Sequence, residues 1–527
     1  MIKRIIALFC AVVMVITCFA SCKKEDTTNK FFAYGITEMP KHFDPQIAES
    51  VSEKMIAVNI FDGLFKLDEN NTPVKCAVKD YKISTDGLVY TFYLRDDMNY
   101  YISSDVQDFL EDKSVTINKN ITAEDFAFGI IRGLLPETDA PDFELLSTIK
   151  NAEKIHNGEL NSSEAGVKVI DDYTLEITLD RKDVNFLYAL TQPVSFPCDK
   201  QFFELTSGRY GLNEEYIISN GGFYLSSISE EKNVVINKNT EYSGAFSPVP
   251  SGVGFYLNAT TLDIAEKVDE GTYDVGFFYA DEDKEVLGRS VVKTELENIA
   301  CSLVFNMADE TLQNNKLRTG LVSCINVSDI TENPLKSVLP SYYNVDNSKI
   351  EMLSYNIDVA RDNMIKAFDE LKIKTLDIEI LCTKKYENIA KTLVNSWQKN
   401  IGVELNGIVT VLEENDFAKR IATDDFDIAI CSLTVDSNNP SEFLSMFTTD
   451  NDLNISNYKS DEFDRLVNDL KVTPTNDKAV YCQSYLLKNA VVLPLYTETT
   501  TYAVHKDTSG IYFSGDSENL YFYKGQK

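Results

Sequence analysis

Asp425-Phe426-Asp427-Ile428-Ala429-Ile430-Cys431-Ser432-Leu433, continuing as Thr434-Val435-Asp436-Ser437-Asn438-Asn439-Pro440-Ser441-Glu442-Phe443-Leu444, decides how the rest of the chain is read. The first half is a short apolar run, the pattern of a strand buried on both faces. The second half is a polar turn that leads through Pro440 into the start of a helix. Asp436 stands just past the strand's carboxyl end, which is where open α/β sheets bind their ligands. Aspartate also caps turns and helices, so position alone leaves both roles open.

The neighbouring segments alternate in the same way. Thr375–Leu381 reads as a strand, Tyr386–Ile401 as a helix and Gly402–Leu405 as a strand. Asn415–Ala422 is a helix, and Phe426–Cys431 a strand. Strand alternating with helix predicts a mainly parallel sheet covered on both faces. In the long helix Ile389, Leu393 and Trp397 fall at i, i+4 and i+8, which places the only tryptophan in a core. Asp461–Lys471 and Asp477–Lys488 are further helices, and Val491–Tyr496 is rich in β-formers. With 527 residues the chain is too long for one core.

Composition narrows the function. The chain carries 82 acidic and 50 basic residues, a net charge of −32, which disfavours nucleic acid as a partner. His42, His156 and His505 lie far apart, and no HExxH or Cys/His spacing occurs. No metal or cofactor is therefore expected. No pair of acids is singled out by spacing for hydrolysis, and the expectation is a protein that is not an enzyme.

The amino terminus is an address. Lys3 and Arg4 precede the apolar run Ile5–Phe19, the pattern of a signal peptide, and the run is short for a membrane span of ~20 residues. It ends Phe19-Ala20-Ser21-Cys22, which resembles the bacterial lipobox. Residues 1–21 are read as a lipoprotein signal peptide and Cys22 as the lipidated residue. Residues 22–30 then form a flexible tether. This implies an extracytoplasmic protein held on the bacterial cell membrane by its lipid. Loss of Lys3 and Arg4 leaves a mature net charge of −34. Seven cysteines remain beyond Cys22, an odd number without tight spacing, which argues against a disulfide framework. Cys301 and Cys431 are the one pair that a bridge would join.

Nearer the amino terminus, Lys30–Ile36 is a strand and Val51–Phe61 a helix. Asp80–Ser84 and Leu88–Leu94 form a hairpin around Ser84-Thr85-Asp86-Gly87. Thr122-Ala123-Glu124-Asp125 is a capping box opening a helix that Pro136 stops. Four of these segments carry a family pattern: Phe43-Asp44-Pro45; Asn59-Ile60-Phe61-Asp62-Gly63-Leu64-Phe65-Lys66-Leu67-Asp68; Ser84-Thr85-Asp86-Gly87-Leu88-Val89-Tyr90-Thr91-Phe92-Tyr93-Leu94-Arg95; and Thr122-Ala123-Glu124-Asp125-Phe126. In order and spacing they resemble the family 5 solute-binding proteins of ABC importers, the oligopeptide- and dipeptide-binding proteins. Val169–Leu179, Ser219–Leu225, Ile236–Tyr242 and Glu270–Gly276 continue the likeness. Tyr100–Asn120 departs from it as a longer acidic insertion, and Leu317–Leu321 is a degraded block.

The resemblance implies an α/β, two-lobed, periplasmic-binding-protein-like clamshell, type II-like, with an extra subdomain in the first lobe. Lobe I would span 31–300 with the inserted subdomain at about 51–165. Lobe II would span 301–490, and 491–527 would return to lobe I. It also implies a short peptide ligand, ABC permease subunits as partners and a monomer. Asp436-Ser437-Asn438-Asn439-Pro440-Ser441-Glu442-Phe443-Leu444 resembles the segment whose leading aspartate pairs with a peptide's α-ammonium. Thr434, Val435 and Asn438 would stand beside it. Glu49, Ser50 and Val51 would line the opposite side as a backbone strip. Ser437 and Asn439 depart from the family's Tyr and Glu. A non-peptide solute such as an oligosaccharide or a metal chelate remains a reading of the same scaffold, as does a peptide sensor without transport.

Overall fold

The computed structural model describes residues 31–69, 72–183, 185–229, 232–402, 404–435, 439–449, 451, 453–513 and 520–527. Among these, ten strands form one mixed sheet. Its order is Leu405–Leu412, Leu376–Thr383, Ile428–Leu433, Val291–Phe305, Val492–His505, Val275–Phe278, Phe31–Ile36, Gly252–Leu257, Asn233–Lys238 and Phe223–Ser229. The alternating region gives three parallel strands at one end, as its pattern predicts. Its parallel run stops where Ile428–Leu433 meets Val291–Phe305 antiparallel.

Val291–Phe305 and Val492–His505 are 15 and 14 residues long and pair antiparallel along most of their length. Sequence patterning finds only the apolar end of each. The other half of the first, Val292 to Glu297, is largely exposed and polar, and hydrophobic periodicity says nothing there. The ladder shifts register between Leu296 and Ile299 and again between Cys301 and Ser302. Such irregularities bend a strand pair.

The buried side chains fall into separate clusters on either side of this bend. One runs from Ala300 to Leu495 and includes Trp397, whose indole nitrogen donates to the Leu321 carbonyl at 3.0 Å. Leaving that N–H unpaired would cost about 1–3 kcal/mol. A second cluster draws on Leu64 to Ile218. A third joins Phe32, Tyr34, Met55 and Phe61 to Tyr502, Tyr521 and Phe522. In the last, Asn59 donates to the Leu520 carbonyl at 2.6 Å and accepts from the Phe522 amide at 3.1 Å, tying the end of the chain to the helix Val51–Ile60.

The family-like motifs turn out to be mutual supports. Asp62 accepts from Lys66 Nζ at 2.8 Å and from the Tyr242 hydroxyl, and its amide donates to Asn220 Oδ1 at 3.0 Å. Three motifs far apart in sequence thus meet at one residue, Asp62. Thr122 and Asp125 close the expected capping box on the helix Ala123–Leu134. That helix lies so close to the segment after Pro193 that a Cβ at Gly129 would stand 2.0 Å from the Phe196 carbonyl oxygen. The acidic insertion is not featureless. Ser103 caps a helix over Ser104–Asp112, and Val106, Phe109 and Leu110 anchor it in the second cluster.

The second parallel strand of the alternating region starts later than its pattern suggests, at Leu405 instead of Gly402. Gly402 has φ +124°, a conformation that ends the preceding helix and that a side chain would resist. Cys301 stands opposite Ser432, and Cys431 opposite Ser302. Paired residues share a face and successive ones alternate, so the two thiols point to opposite faces of the sheet. The bridge considered above is excluded by this register, and both cysteines are free. Burial pushes the Cys431 thiol up to about 12, which keeps it protonated and inert.

Candidate functional site

The strand Ile428–Leu433 ends against the middle of Val291–Phe305, where Leu433 faces Ala300. It runs parallel to Leu376–Thr383, so both carboxyl ends open on the same edge of the sheet, beside the bend in the long strand pair. Thr434 is exposed, and its hydroxyl donates to the Asn298 carbonyl at 3.5 Å. Val435 packs partly buried on the core below. Asp436 and Asn438 lie outside the described residues. Beyond them Asn439 caps the expected helix, Pro440–Ser445, by accepting from the Ser441 amide at 3.0 Å.

Sequence reasoning misses the polar group at the foot of this loop. Glu498, in the second long strand, accepts from Lys385 Nζ at 2.7 Å, from Ser432 Oγ at 2.7 Å, from the Tyr386 hydroxyl at 3.0 Å and from the Tyr496 hydroxyl at 3.1 Å. Burial alone would push the Glu498 carboxyl up. The hydrogen bond and charge of Lys385, with the hydrogen bonds of Ser432 and Tyr386, hold it below its ordinary value instead. Four donors fill a carboxylate's acceptor sites, so Glu498 is a fixed anion and Lys385, half exposed, is the group that faces solvent. The signal was faint. It consists of one charged residue inside a β-rich run, with partners from its own strand and from two other segments.

A folded-state value below the unfolded one means stability that is present above the ordinary carboxylate range and lost as pH falls through the folded value. Glu498→Gln should therefore lower unfolding stability by about 1–3 kcal/mol at pH 7. Urea unfolding at pH 7 and pH 3.5 checks this, with the difference from the unsubstituted chain shrinking at the lower pH.

On the other side, Ser50 caps the helix Val51–Ile60 through a reciprocal capping box with Glu53. The Glu53 carboxylate takes the amides of Glu49 at 3.0 Å, Ser50 at 3.1 Å and Lys41 at 2.9 Å. The backbone donors of Glu49 and Ser50 are thus already used, and Val51 is the first helical residue. What this segment offers to solvent is the exposed side chains of Glu49 and Val51. The loop before it is pinned by Asp44, which pairs with Arg132 at 2.6 Å. Among the described residues no group of three or more His, Cys, Asp or Glu side chains is placed to hold a metal ion. No helix among them is long and apolar enough to cross a membrane.

A family model described as bacterial extracellular solute-binding proteins, family 5, middle region, matches residues 45–454. The chain belongs to this family. Family 5 proteins are extracellular binders of solutes, a class defined by capture and not by catalysis. The chain is 24% identical to the periplasmic oligopeptide-binding protein OppA of Salmonella typhimurium over 509 residues, covering 91% of this chain and 89% of that one. It is 24% identical to the periplasmic murein peptide-binding protein MppA of Escherichia coli, covering 88% and 87%. The structure of Listeria monocytogenes OppA bound to peptide superposes with a TM-score of 0.71 at 20% identity, over 95% of this chain and 99% of that one. The α/β clamshell expected for a family 5 protein is borne out by this agreement in fold.

Proposed function

We propose that this family 5 protein is a surface-anchored receptor that closes two lobes over a short peptide and delivers it to the permease of an ABC importer. The observation that carries this reading is the family match through residues 45–454, joined to relatives of nearly equal length that are named for binding peptides. One lobe is 31–300 with 491–527, and the other is 301–490. The long strands Val291–Phe305 and Val492–His505 pass between them, and their irregular register is where closure would bend. Cys22, outside the described residues, carries the lipid that holds the receptor on the membrane.

In this reading Asp436 meets the peptide's ammonium while Thr434 and Val435 offer main-chain pairing in the manner of an added strand. Asn438 stands beside them, and Glu49, Ser50 and Val51 face them across the cleft. Because Glu53 holds the amides of Glu49 and Ser50, this face would contribute side chains more than backbone donors. The Lys385–Glu498 pair forms the floor.

The mature chain, purified without denaturation and extracted with acid, should release short peptides detectable by mass spectrometry. The emptied protein should be stabilised by free-amino tripeptides in a thermal-shift panel, since a ligand at one hundred times its Kd adds about 2.7 kcal/mol. Stabilisation by an oligosaccharide or a metal chelate, with none by any peptide, would overturn the peptide reading and keep the receptor.

A further inference from the structure

The bend between the two long strands is confined to a few residues. Glu498 is fixed by its four donors on the side of the Trp397 cluster. Thr501 stands opposite Phe278, which is buried in a further cluster with Ile264, Val268 and Ala503. Only Thr499 and Thr500 lie between these two anchored positions. On the other strand Ile299 faces Glu498 and Leu296 faces Thr500, and the register skips Glu297, Asn298 and Thr499. Two residues opposite one make a β-bulge, which takes its members out of the ladder.

Side chains from both sides hold the bulge. From one side Lys284, on the short helix Asp281–Val286, donates to the Thr499 carbonyl at 2.8 Å and to the Thr499 hydroxyl at 3.3 Å. That helix is rooted through Val286 and Leu287 in the cluster of Phe278 and Ala503. The other partner of Lys284, Asp281 at 3.4 Å, stands in solvent. From the other side the Thr434 hydroxyl donates to the Asn298 carbonyl at 3.5 Å, and the Ser341 hydroxyl donates to the Glu297 carboxylate. Leu433 and Tyr343, close to them in sequence, are buried in the cluster around Trp397. Across the bulge the Thr500 hydroxyl donates to Asn298 Oδ1 at 3.0 Å, and both residues are buried.

A buried carbonyl outside the ladder needs a donor, so these contacts fix the angle at which one half of the strand pair meets the other. Asn298 holds the opposite strand with its side chain and the residue leading into the 436 loop with its carbonyl. A change of angle at the bulge therefore moves that loop.

We propose that Lys284 and Asn298 are positioning residues for ligand capture: Lys284 pins the pivot to the first lobe, Asn298 passes its angle to the Thr434 loop, and affinity depends on both although neither belongs to the proposed contact set.

This role rests on the two-lobed receptor reading, so two measurements keep them apart. Stopped-flow kinetics and calorimetry with tri-alanine report capture. Small-angle scattering of the ligand-free mature chain reports the angle between the lobes without any peptide. Lys284→Met removes the donor to Thr499. Thr500→Val keeps the shape of the side chain and removes the hydroxyl, whereas Thr500→Ser keeps the hydroxyl. Lys284→Met and Thr500→Val should each weaken tri-alanine binding by roughly three- to thirty-fold, chiefly through faster dissociation. Each should also change the radius of gyration without ligand, and Thr500→Ser should match the unsubstituted chain in both measurements. An unchanged radius in both variants overturns the proposal, whatever happens to their melting temperatures. Unchanged affinity where the unsubstituted chain binds tri-alanine does the same, as does a Thr500→Ser chain that behaves like Thr500→Val. A changed radius in both variants of a chain that binds no tri-alanine supports the pivot and removes the peptide reading instead.

Discussion

Arg132→Ala should destabilise one half of this protein by about 3–5 kcal/mol and leave the other half nearly untouched. Arg132 lies on the helix Ala123–Leu134 and is 5% exposed. Its guanidinium holds Asp44 with both nitrogens, at 2.6 and 3.2 Å, and Gln46 Oε1 at 2.6 Å. It also stacks 4.1 Å from the centre of the Phe203 ring. Burial works against its charge, but Asp44 more than compensates and raises its pKa above the usual value. Removing the arginine leaves Asp44, equally buried, as an uncompensated anion, and breaking such a pair from one side costs about 3–5 kcal/mol.

The two halves can be read separately. Trp397, the only tryptophan, sits in the cluster from Ala300 to Leu495, whereas Arg132 sits against the second cluster. In a urea titration of Arg132→Ala, the far-ultraviolet circular dichroism should show an early transition that tryptophan fluorescence does not. Coincident transitions shifted by the same amount would mean that the chain unfolds as one unit. The variant should also loosen the loop Phe43–Ile47 that leads to Glu49 and Ser50, so weakened ligand binding is expected beside the lost stability.

What the sequence disclosed follows from how local each signal was. Thr122 with Asp125, and the helix spacing that ends at Trp397, are patterns within one or four turns, and both stand in the structure where the pattern puts them. The strand Ile428–Leu433 was legible because burial on both faces demands an unbroken apolar run. The long strands were half legible, since their middle stretches leave one core before entering the next and carry Glu297, Asn298 and Thr497 to Thr500 where a core strand would carry Val and Ile. The Glu498 group had no readable spacing at all. Lys385 and Tyr386 precede one helix, Ser432 ends one strand, and Glu498 lies mid-strand 66 residues later, so only the sheet order makes them neighbours. Glu49 and Ser50 were legible as neighbours of the loop, but the use of their amides by Glu53 was a matter of three-dimensional accounting. That the helix Ser104–Asp112 escaped notice has a simple cause: its charge overshadowed a Ser cap and an apolar stripe of three residues.

Asp436→Asn should weaken binding of free-amino tripeptides by roughly 30- to 1000-fold, while leaving their N-acetylated forms almost unaffected. The substitution keeps the side chain's shape and hydrogen-bonding reach and removes only its charge. A charged pair desolvated in a closed cleft typically costs about 2–4 kcal/mol when one partner is lost, and each 1.4 kcal/mol is ten-fold in Kd. Calorimetry on four combinations, Asp or Asn at 436 against tri-alanine or its N-acetyl form, gives the coupling directly. Equal affinity of the two peptides for the unsubstituted chain would rule out the ammonium role of Asp436. A peptide ammonium is lost above its ordinary value near 8, so the advantage of tri-alanine over its acetylated form should fade above pH 8.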